Sequence, residues 1–538
     1  MDIFLSAVEI LMRWDVIAAL FVGAIGGVII GAIPGVGPAV AIAILLPATF
    51  SMDPIVGLTL LLGIYGSSMF GGAIPAVLIN TPGTAVNALT TYDGYPMTVR
   101  GEGKRALSLA YSASFYGGTF SILCLILLAP VLAYVAPMFG SREIFLAALL
   151  GIILVITAHR GRALAAGMMA SLGIFIQTVG LEPIKYTRRF TFDQSWLAGQ
   201  VDMSWMIGGF NLIVVVLGLF AISQAFSLLI EPDESPKAAP VKGGLWVGMR
   251  EVFKHKRVAT VSSAFGVLMG IIPGVGEFTA QFLSYTYAQK TSKTPDLFGK
   301  GNPEGLIASE ASNNAVPAAA MIPLLALGIP GEALTAMMLS VFYVHNVIPG
   351  PNLFQNKMDF VIALYLALLI LNVMVVIFLL FSTNTLLKVI QIPTRFLGVT
   401  ILILSFVGVY SLRNSATDCA VAAGFGVFGF ILKRLNLPVV PIVLGMVLGG
   451  IMETKLRTSM NRVKTPWDFI DRPVAFFLFL MILLVIALHI RTMIKDRNAR
   501  RKAAECLTNT PSTSFASAMY RRRNSSLKAR GLKDKAPR

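Results

Sequence analysis

A seven-residue motif inside an apolar segment occurs twice in this chain. Gly31-Ala-Ile-Pro-Gly-Val-Gly37 returns as Gly270-Ile-Ile-Pro-Gly-Val-Gly276. A second pair keeps the same order: Ala73-Ile-Pro75 through Pro82-Gly83 with Ala85 returns as Met321-Ile-Pro323 through Pro330-Gly331 with Ala333. The offsets are 239 and 248, so nine residues are inserted between the paired motifs. Such a duplication constrains the architecture before any single motif is interpreted. Proline removes an amide donor and clashes with the preceding turn, and glycine tolerates positive φ. Each Pro-Gly pair therefore predicts a helix broken within apolar surroundings.

Those surroundings are a membrane. The chain has 538 residues, 56% hydrophobic and only 13% charged, against about 25% charged in soluble proteins. An ordinary soluble enzyme is excluded. Runs such as Trp205 to Ile230, Phe360 to Phe381 and Val474 to Ile490 approach or exceed the ~20 residues that cross a hydrocarbon core. The expected fold is an all-α polytopic membrane protein with about a dozen membrane elements: 16–34, 55–80, 107–136, 143–158, 162–180, 205–230, 258–283, 305–345, 360–382, 396–411, 416–432, 436–451 and 473–490.

Charge orients these elements. From Arg491 onward there are 14 Lys and Arg against 3 Asp and Glu, so +11 of the net +17 lies in the last 48 residues. Such a polar basic tail is expected to be disordered and cytoplasmic, against anionic headgroups, and not a nucleic-acid arm. Counting back places Lys433 and Arg434, Lys388 and Arg395, His159, Arg160 and Arg162, and Arg100, Lys104 and Arg105 inside. The basic break 231–257 is also inside, as a linker. The count requires 55–80 and 305–345 each to enter and leave on one side. Two basic stretches fall against the rule: Lys185, Arg188 and Arg189, and the segment 453–472 with Lys455, Arg457, Arg462 and Lys464. The organisation read from this is a first repeat half over 1–230, the linker 231–257, a second half over 258–490 and the tail 491–538. The first copy runs from outside to inside and the second from inside to outside, so the repeats are inverted.

No leader is expected, because Asp2 and Glu9 precede the first apolar run in place of a cationic start. Cys124, Cys419 and Cys506 offer no disulfide framework.

Inverted repeats with Gly/Pro-interrupted segments at matching positions point to a secondary transporter with its site near the midplane. Irregular backbone survives in a bilayer only inside protein or along a wet cavity. A half-helix N-terminus there favours an anion, and unwound carbonyls favour a cation.

With Gly63-Ile-Tyr-Gly-Ser-Ser68, Asn80-Thr-Pro-Gly83, Gly301-Asn-Pro-Glu-Gly305, Glu310-Ala-Ser-Asn-Asn314 and Gly328-Ile-Pro-Gly331 added, the chain resembles the large membrane subunit of the tripartite tricarboxylate transporters. The likeness extends to about residue 490 and leaves out the basic tail. The resemblance implies an importer of citrate-like carboxylates in the bacterial inner membrane. It also implies two partners, a small membrane subunit and a periplasmic substrate-binding protein. No cofactor and no nucleic-acid partner are expected, only a transported coupling cation, with Na⁺ favoured over H⁺.

Polar groups beside the breaks are the substrate candidates: Ser67, Ser68, Asn80, Thr81, Pro82, Gly83 and Thr84 in the first repeat, and Ser312, Asn313, Asn314, Pro330, Gly331 and Thr335 in the second. The alternative for each hydroxyl and amide is interhelical hydrogen bonding, at ~0.6 kcal/mol apiece. Coupling-ion candidates are the break glycines Gly35, Gly37, Gly274 and Gly276, with the intramembrane acids Glu310 and Glu332. Glu277 is a third acid that could equally cap a helix. Single, scattered His159, His255, His345 and His489 predict no metal site. The order needed for a phosphate loop is missing around Lys300 and Gly301. An intramembrane enzyme would need clustered Asp, Glu or His, which the sequence lacks. A channel or non-transporting scaffold is the remaining alternative, since broken helices also build pores. Tyr186, Arg188, Phe190, Phe192 and Trp196 form an aromatic and basic loop suited to interfacial anchoring or to docking the periplasmic partner.

Overall fold

The computed structural model describes residues 2–159, 161–192, 204–230, 247–389, 391–461 and 465–509. Its helices run in the order α1 (Asp2–Leu11), α2 (Trp14–Ala32), α3 (Pro38–Thr49), α4 (Pro54–Ile79), α5 (Thr90–Val99), α6 (Gly103–Val135), α7 (Ser141–Ala158), α8 (Ala163–Thr178), α9 (Leu212–Val216) and α10 (Ser223–Ile230). A π-helical stretch, Leu217–Ile222, joins the last two into one rod. There follow α11 (Val247–Lys254), α12 (Lys256–Ile271), α13 (Gly276–Thr291), α14 (Pro303–Asn314), α15 (Val316–Leu327), α16 (Ala333–Val344), α17 (Pro351–Asn356), α18 (Met358–Val389), α19 (Thr394–Arg413), α20 (Ala416–Arg434), α21 (Val440–Met460) and α22 (Pro473–Asn509). Nine helices among the described residues are long and apolar enough to cross a bilayer, and α3, α8 and α16 are shorter apolar ones. One two-stranded ribbon, β1 (Gly180–Leu181) with β2 (Arg188–Arg189), is antiparallel. The chain is an all-α polytopic membrane protein.

The centre is built by exchange between the two halves of the sequence. α2 lies along α4, and α12 lies along α14 and α15. The long α6 of the first half packs on α12, α14 and α15 of the second, while α18 of the second half packs on α2 and α4. Flanking this centre, α21 joins α7 and α8, and the rod 212–230 joins α19 and α20. The flanks are zipped by glycine, because close backbone approach replaces the hydrophobic drive that lipid removes. A Cβ at Gly173 would stand 2.0 Å from the Ile442 carbonyl, and one at Gly445 would stand 2.2 Å from that of Ala170.

Two local expectations change and one holds. The segment 55–80 is not a hairpin: α4 is one helix of 26 residues, about 39 Å long at 1.5 Å per residue. Its glycines serve close approach instead of breaking it; a Cβ at Gly63 would stand 2.8 Å from Gly23 Cα, and one at Gly71 would stand 2.2 Å from Val28 O. The segment 305–345 resolves into α14, α15 and α16, with the expected break at Pro330-Gly331 before the last. The apolar helix α3 was absent from the expected elements.

Of the linker 231–257, residues 231–246 lie outside the described residues, and 247–254 form α11. Arg160, Trp196, Arg462 and Lys464 also lie outside them. By contact density the chain divides into Met1–Leu480 and Met481–Arg538. The second unit is helical to Asn509, so helix, not disorder, occupies the first part of the expected tail; 510–538 lie outside the described residues.

Candidate functional site

One backbone device occurs in two copies. Between α2 and α3, Gly35 takes φ +83°, and between α12 and α13, Gly274 takes φ +76°; both conformations require glycine. In each copy that glycine's amide donates to a carbonyl in the second motif: Gly35 N to Gly83 O at 3.2 Å, and Gly274 N to Gly331 O at 2.6 Å. The second break is twinned as well. α4 ends on Asn80 at φ 56° and α15 on Gly328 at φ 69°. The next amides reach back equally, Thr81 N to Pro75 O and Ile329 N to Pro323 O, both 3.3 Å, which satisfies an orphan carbonyl at a left-handed cap. A Cβ at Gly83 would stand 2.1 Å from Gly31 O, and one at Gly331 would stand 2.7 Å from Gly270 O.

Beyond the crossings, Gly37 and Gly276 face open space, with no heavy atom within 4 Å of a Cβ at either. α3 and α13 begin there without a side-chain cap. α3 opens on Pro38, which has no amide N–H, and its Val40 N donates to Gly37 O at 3.1 Å; the partial positive charge of both helix starts suits an anion. Basic groups stand near both turns. Gln224, whose Nε2 is 3.4 Å from a Cβ at Gly35, accepts from Lys433 Nζ at 2.8 Å. Gly274 lines a cavity of about 450 Å³ whose wall includes His159 and Arg162.

The three serines are committed elsewhere. Ser67 Oγ donates to Gly23 O at 3.0 Å and Gly63 O at 2.5 Å, Ser68 Oγ to Tyr65 O at 2.9 Å, and Ser312 Oγ to Ala308 O at 2.7 Å. Asn80 is exposed; Thr81 and Pro82 are partly buried, with Thr81 Oγ1 donating to Ile79 O at 3.3 Å. Pro330 and Gly331 are buried in the crossing.

The asparagines differ. Asn313 is fully buried and neither its Nδ2 nor its Oδ1 has a partner; Nδ2 of Asn314 also has none. Asn314, Ser67, Gly66 and Asn372 line a cavity of about 40 Å³, room for water but not for a tricarboxylate. By the 248 offset, Gly66 is the counterpart of Asn314 and Tyr65 that of Asn313, so this small cavity lies where the repeats meet.

The acids divide three ways. Glu310 is saturated: Oε1 accepts from Thr90 Oγ1 at 2.5 Å and Asn87 Nδ2 at 3.3 Å, and Oε2 accepts from Ser114 Oγ at 2.8 Å. Glu277 Oε1 accepts from the Tyr65 hydroxyl at 3.2 Å. Glu332 forms a capping box with Thr335, whose Oγ1 accepts from Glu332 N at 3.0 Å; its own Oε1 is buried without a partner.

A second cross-repeat clamp lies at the other end of α14. One oxygen of Asp93, Oδ1, accepts the amides of Gly299, Gly301 and Asn302 at 2.9, 2.8 and 2.8 Å, and Oδ2 accepts from Tyr285 at 2.8 Å. Burial pushes the Asp93 carboxyl above the ordinary aspartate range, and these donors pull it partly back. Arg100 adds bonds to the carbonyls of Lys300 and Gly301 at 2.6 and 2.8 Å.

Sequence reasoning missed Tyr65, Asn87, Thr90, Ser114 and Asp93. For one pair a signal existed: Thr84 and Asn87 stand 248 residues before Glu332 and Thr335, and Thr84 Oγ1 donates to Asn87 Oδ1 at 2.5 Å. Among the described residues, no three His, Cys, Asp or Glu side chains are grouped to hold a metal ion.

Comparisons agree with the motifs. A protein of Agrobacterium vitis named as an uncharacterized 52.8 kDa protein in the TAR-I ttuC' 3' region is 34% identical over 442 residues, 82% of this chain and 86% of its own. Another from the same organism, named as an uncharacterized protein in the TAR-II ttuC' 3' region, is 34% identical over 195 residues, 36% of this chain and 81% of its own. No solved structure matches. The profile of the tripartite tricarboxylate transporter TctA family matches residues 17–444, and the chain, with its twinned breaks, belongs to that family.

Proposed function

We propose that this chain is the translocating subunit of a binding-protein-dependent importer of citrate-like carboxylates in the bacterial inner membrane, driven by a cation gradient with Na⁺ favoured over H⁺. A small membrane subunit and a periplasmic binding protein complete the system. The observation that carries the reading is the twinned crossing, Gly35 to Gly83 and Gly274 to Gly331. Beside it lie two helix starts, those of α3 and α13, without side-chain caps. Inverted repeats make the two starts face the substrate from opposite sides of the midplane. The unpartnered amide of Asn313 supplies neutral hydrogen bonding that a carboxylate can take up and release.

Among the acids, Glu332 is the better cation ligand. Its Oε1 is free of hydrogen bonds, whereas Glu310 already receives three donors. Carbonyls at the Gly35–Gly37 and Gly274–Gly276 turns supply further oxygens.

The test is radiolabelled citrate uptake by the subunit reconstituted with its two partners, under inward Na⁺, inward H⁺ or no gradient. Accumulation under one gradient, lost in Asn313→Ala, is the expected result and names the ion. Absence of gradient-dependent accumulation across a panel of di- and tricarboxylates, with the complex intact, sinks the proposal.

A further inference from the structure

Three of the basic residues that defied the charge rule, Arg189, Lys455 and Arg457, stand together. α8 ends at Thr178, the β1–β2 ribbon follows, and α21 carries 453–460 as its last turns. These elements and α16 enclose a cavity of about 460 Å³ lined by Gln177, Arg189, Tyr343, Glu453, Thr454 and Lys455, among others. It lies at the opposite end of α8 from the cavity beside Gly274. The 16 residues of that helix separate the two by about 24 Å. Between them, Ile152 of α7, Ala170 of α8, Leu448 of α21 and Ile329 of the second-repeat break form a closed apolar cluster.

The wall is prepared for an anion. Arg189 is held end-on by Glu453, Nη1 to Oε1 at 2.5 Å and Nη2 to Oε2 at 3.3 Å. A guanidinium so clamped is fixed in orientation and keeps its full charge at the wall. Arg457 holds the same assembly, 3.3 Å from both Glu453 and the buried Glu182. The ammonium of Lys455, on the cavity wall, makes no ion pair or hydrogen bond among the described residues; its carbonyl accepts from Ser459 Oγ at 2.7 Å. The lining therefore carries one net positive charge, with Arg189 and Lys455 against Glu453. The volume exceeds what water alone needs and suits a small organic acid.

We propose that this cavity is a second carboxylate site, an outer vestibule that receives the anion before it reaches the breaks, with Lys455 as its principal cation and Arg189, clamped by Glu453, as a second positive charge on its wall. The identity of the anion rests on the transport reading above. The vestibule explains why cations stand where the charge rule disfavours them. A free acid arriving from a soluble carrier needs a positive receiving surface, and the cluster around Ile329 bars its onward path.

The test reads binding directly, apart from transport. Thr454→Cys is placed in the full chain with Cys124, Cys419 and Cys506 replaced by serine, in phosphatidylcholine nanodiscs, and its rate of maleimide labelling is measured. Citrate at ten times its dissociation constant slows labelling about tenfold. Lys455→Gln abolishes the protection, and Lys455→Arg restores it, which shows that the charge acts and the fold is intact. Labelling indifferent to citrate overturns the vestibule even if reconstituted uptake is normal. Protection by phosphatidylglycerol in the discs without citrate also overturns it, because the occupant is then a lipid headgroup. Citrate protection in a protein that accumulates no carboxylate keeps the site and removes the transport reading instead.

Discussion

Gly83 is pressed against Gly31: a Cβ at position 83 would stand 2.1 Å from the Gly31 carbonyl, in the crossing that also takes the Gly35 amide onto Gly83 O. The second repeat makes the same contact less tightly, 2.7 Å from the Gly270 carbonyl to a Cβ at Gly331. Both obstacles are backbone and cannot rotate away.

The asymmetry gives a graded expectation. Gly83→Ala lowers stability by about 3 kcal/mol and Gly331→Ala by about 1, within the usual range for overpacking. Thermal unfolding followed by tryptophan fluorescence checks the order. Equal loss at the two positions contradicts the geometry.

Glu310 ties α14 to Asn87, Thr90 and Ser114 of the first half. Glu310→Ala strands those donors and costs about 3 kcal/mol, whereas Glu310→Gln keeps one acceptor oxygen and costs about 1. Thermal shift in detergent separates the two. A Gln variant as damaged as the Ala variant shows that the charge, not the acceptor geometry, holds the junction.

Asn313 should behave in the opposite way. Its side-chain atoms have no partners, so Asn313→Ala removes no bond from the empty protein and shifts its stability by less than about 1 kcal/mol. Uptake falls at least about tenfold, as expected for a site held ready at a cost in stability. A variant that unfolds, or one that transports normally, refutes the assignment.

Asp93 offers a pH test. Burial raises its carboxyl in the folded protein, so folding binds protons there and this group's contribution falls as pH rises from the unfolded aspartate value through the folded one. Asp93→Asn keeps the oxygen that accepts the amides of Gly299, Gly301 and Asn302. It should fold and flatten that limb of the pH–stability curve, while Asp93→Ala destabilises at every pH. An Asn variant with an unchanged limb means that another group titrates there.

The sequence by itself determined where the backbone breaks. Pro34-Gly35, Pro82-Gly83, Pro273-Gly274 and Pro330-Gly331 act through covalent geometry, which needs no neighbour, and every one stands at an interruption in the structure. Length and apolarity likewise fixed the helical, many-pass class. The tertiary structure decided which glycines do not break a helix. Gly63 and Gly71 lie inside α4 because α2 approaches them closely, and that approach is a contact between distant segments that no local pattern records. It also decided the fate of the polar residues. Ser67 and Asn313 looked alike as intramembrane polar groups, yet one hydroxyl found carbonyls on α2 and α4 while the other side chain found nothing. Lys455 and Arg189 were visible only as misplaced charges until folding brought α21 and the ribbon together. Hydrogen bonds and cavities depend on which segments meet, and that is set by packing across more than two hundred residues of intervening chain.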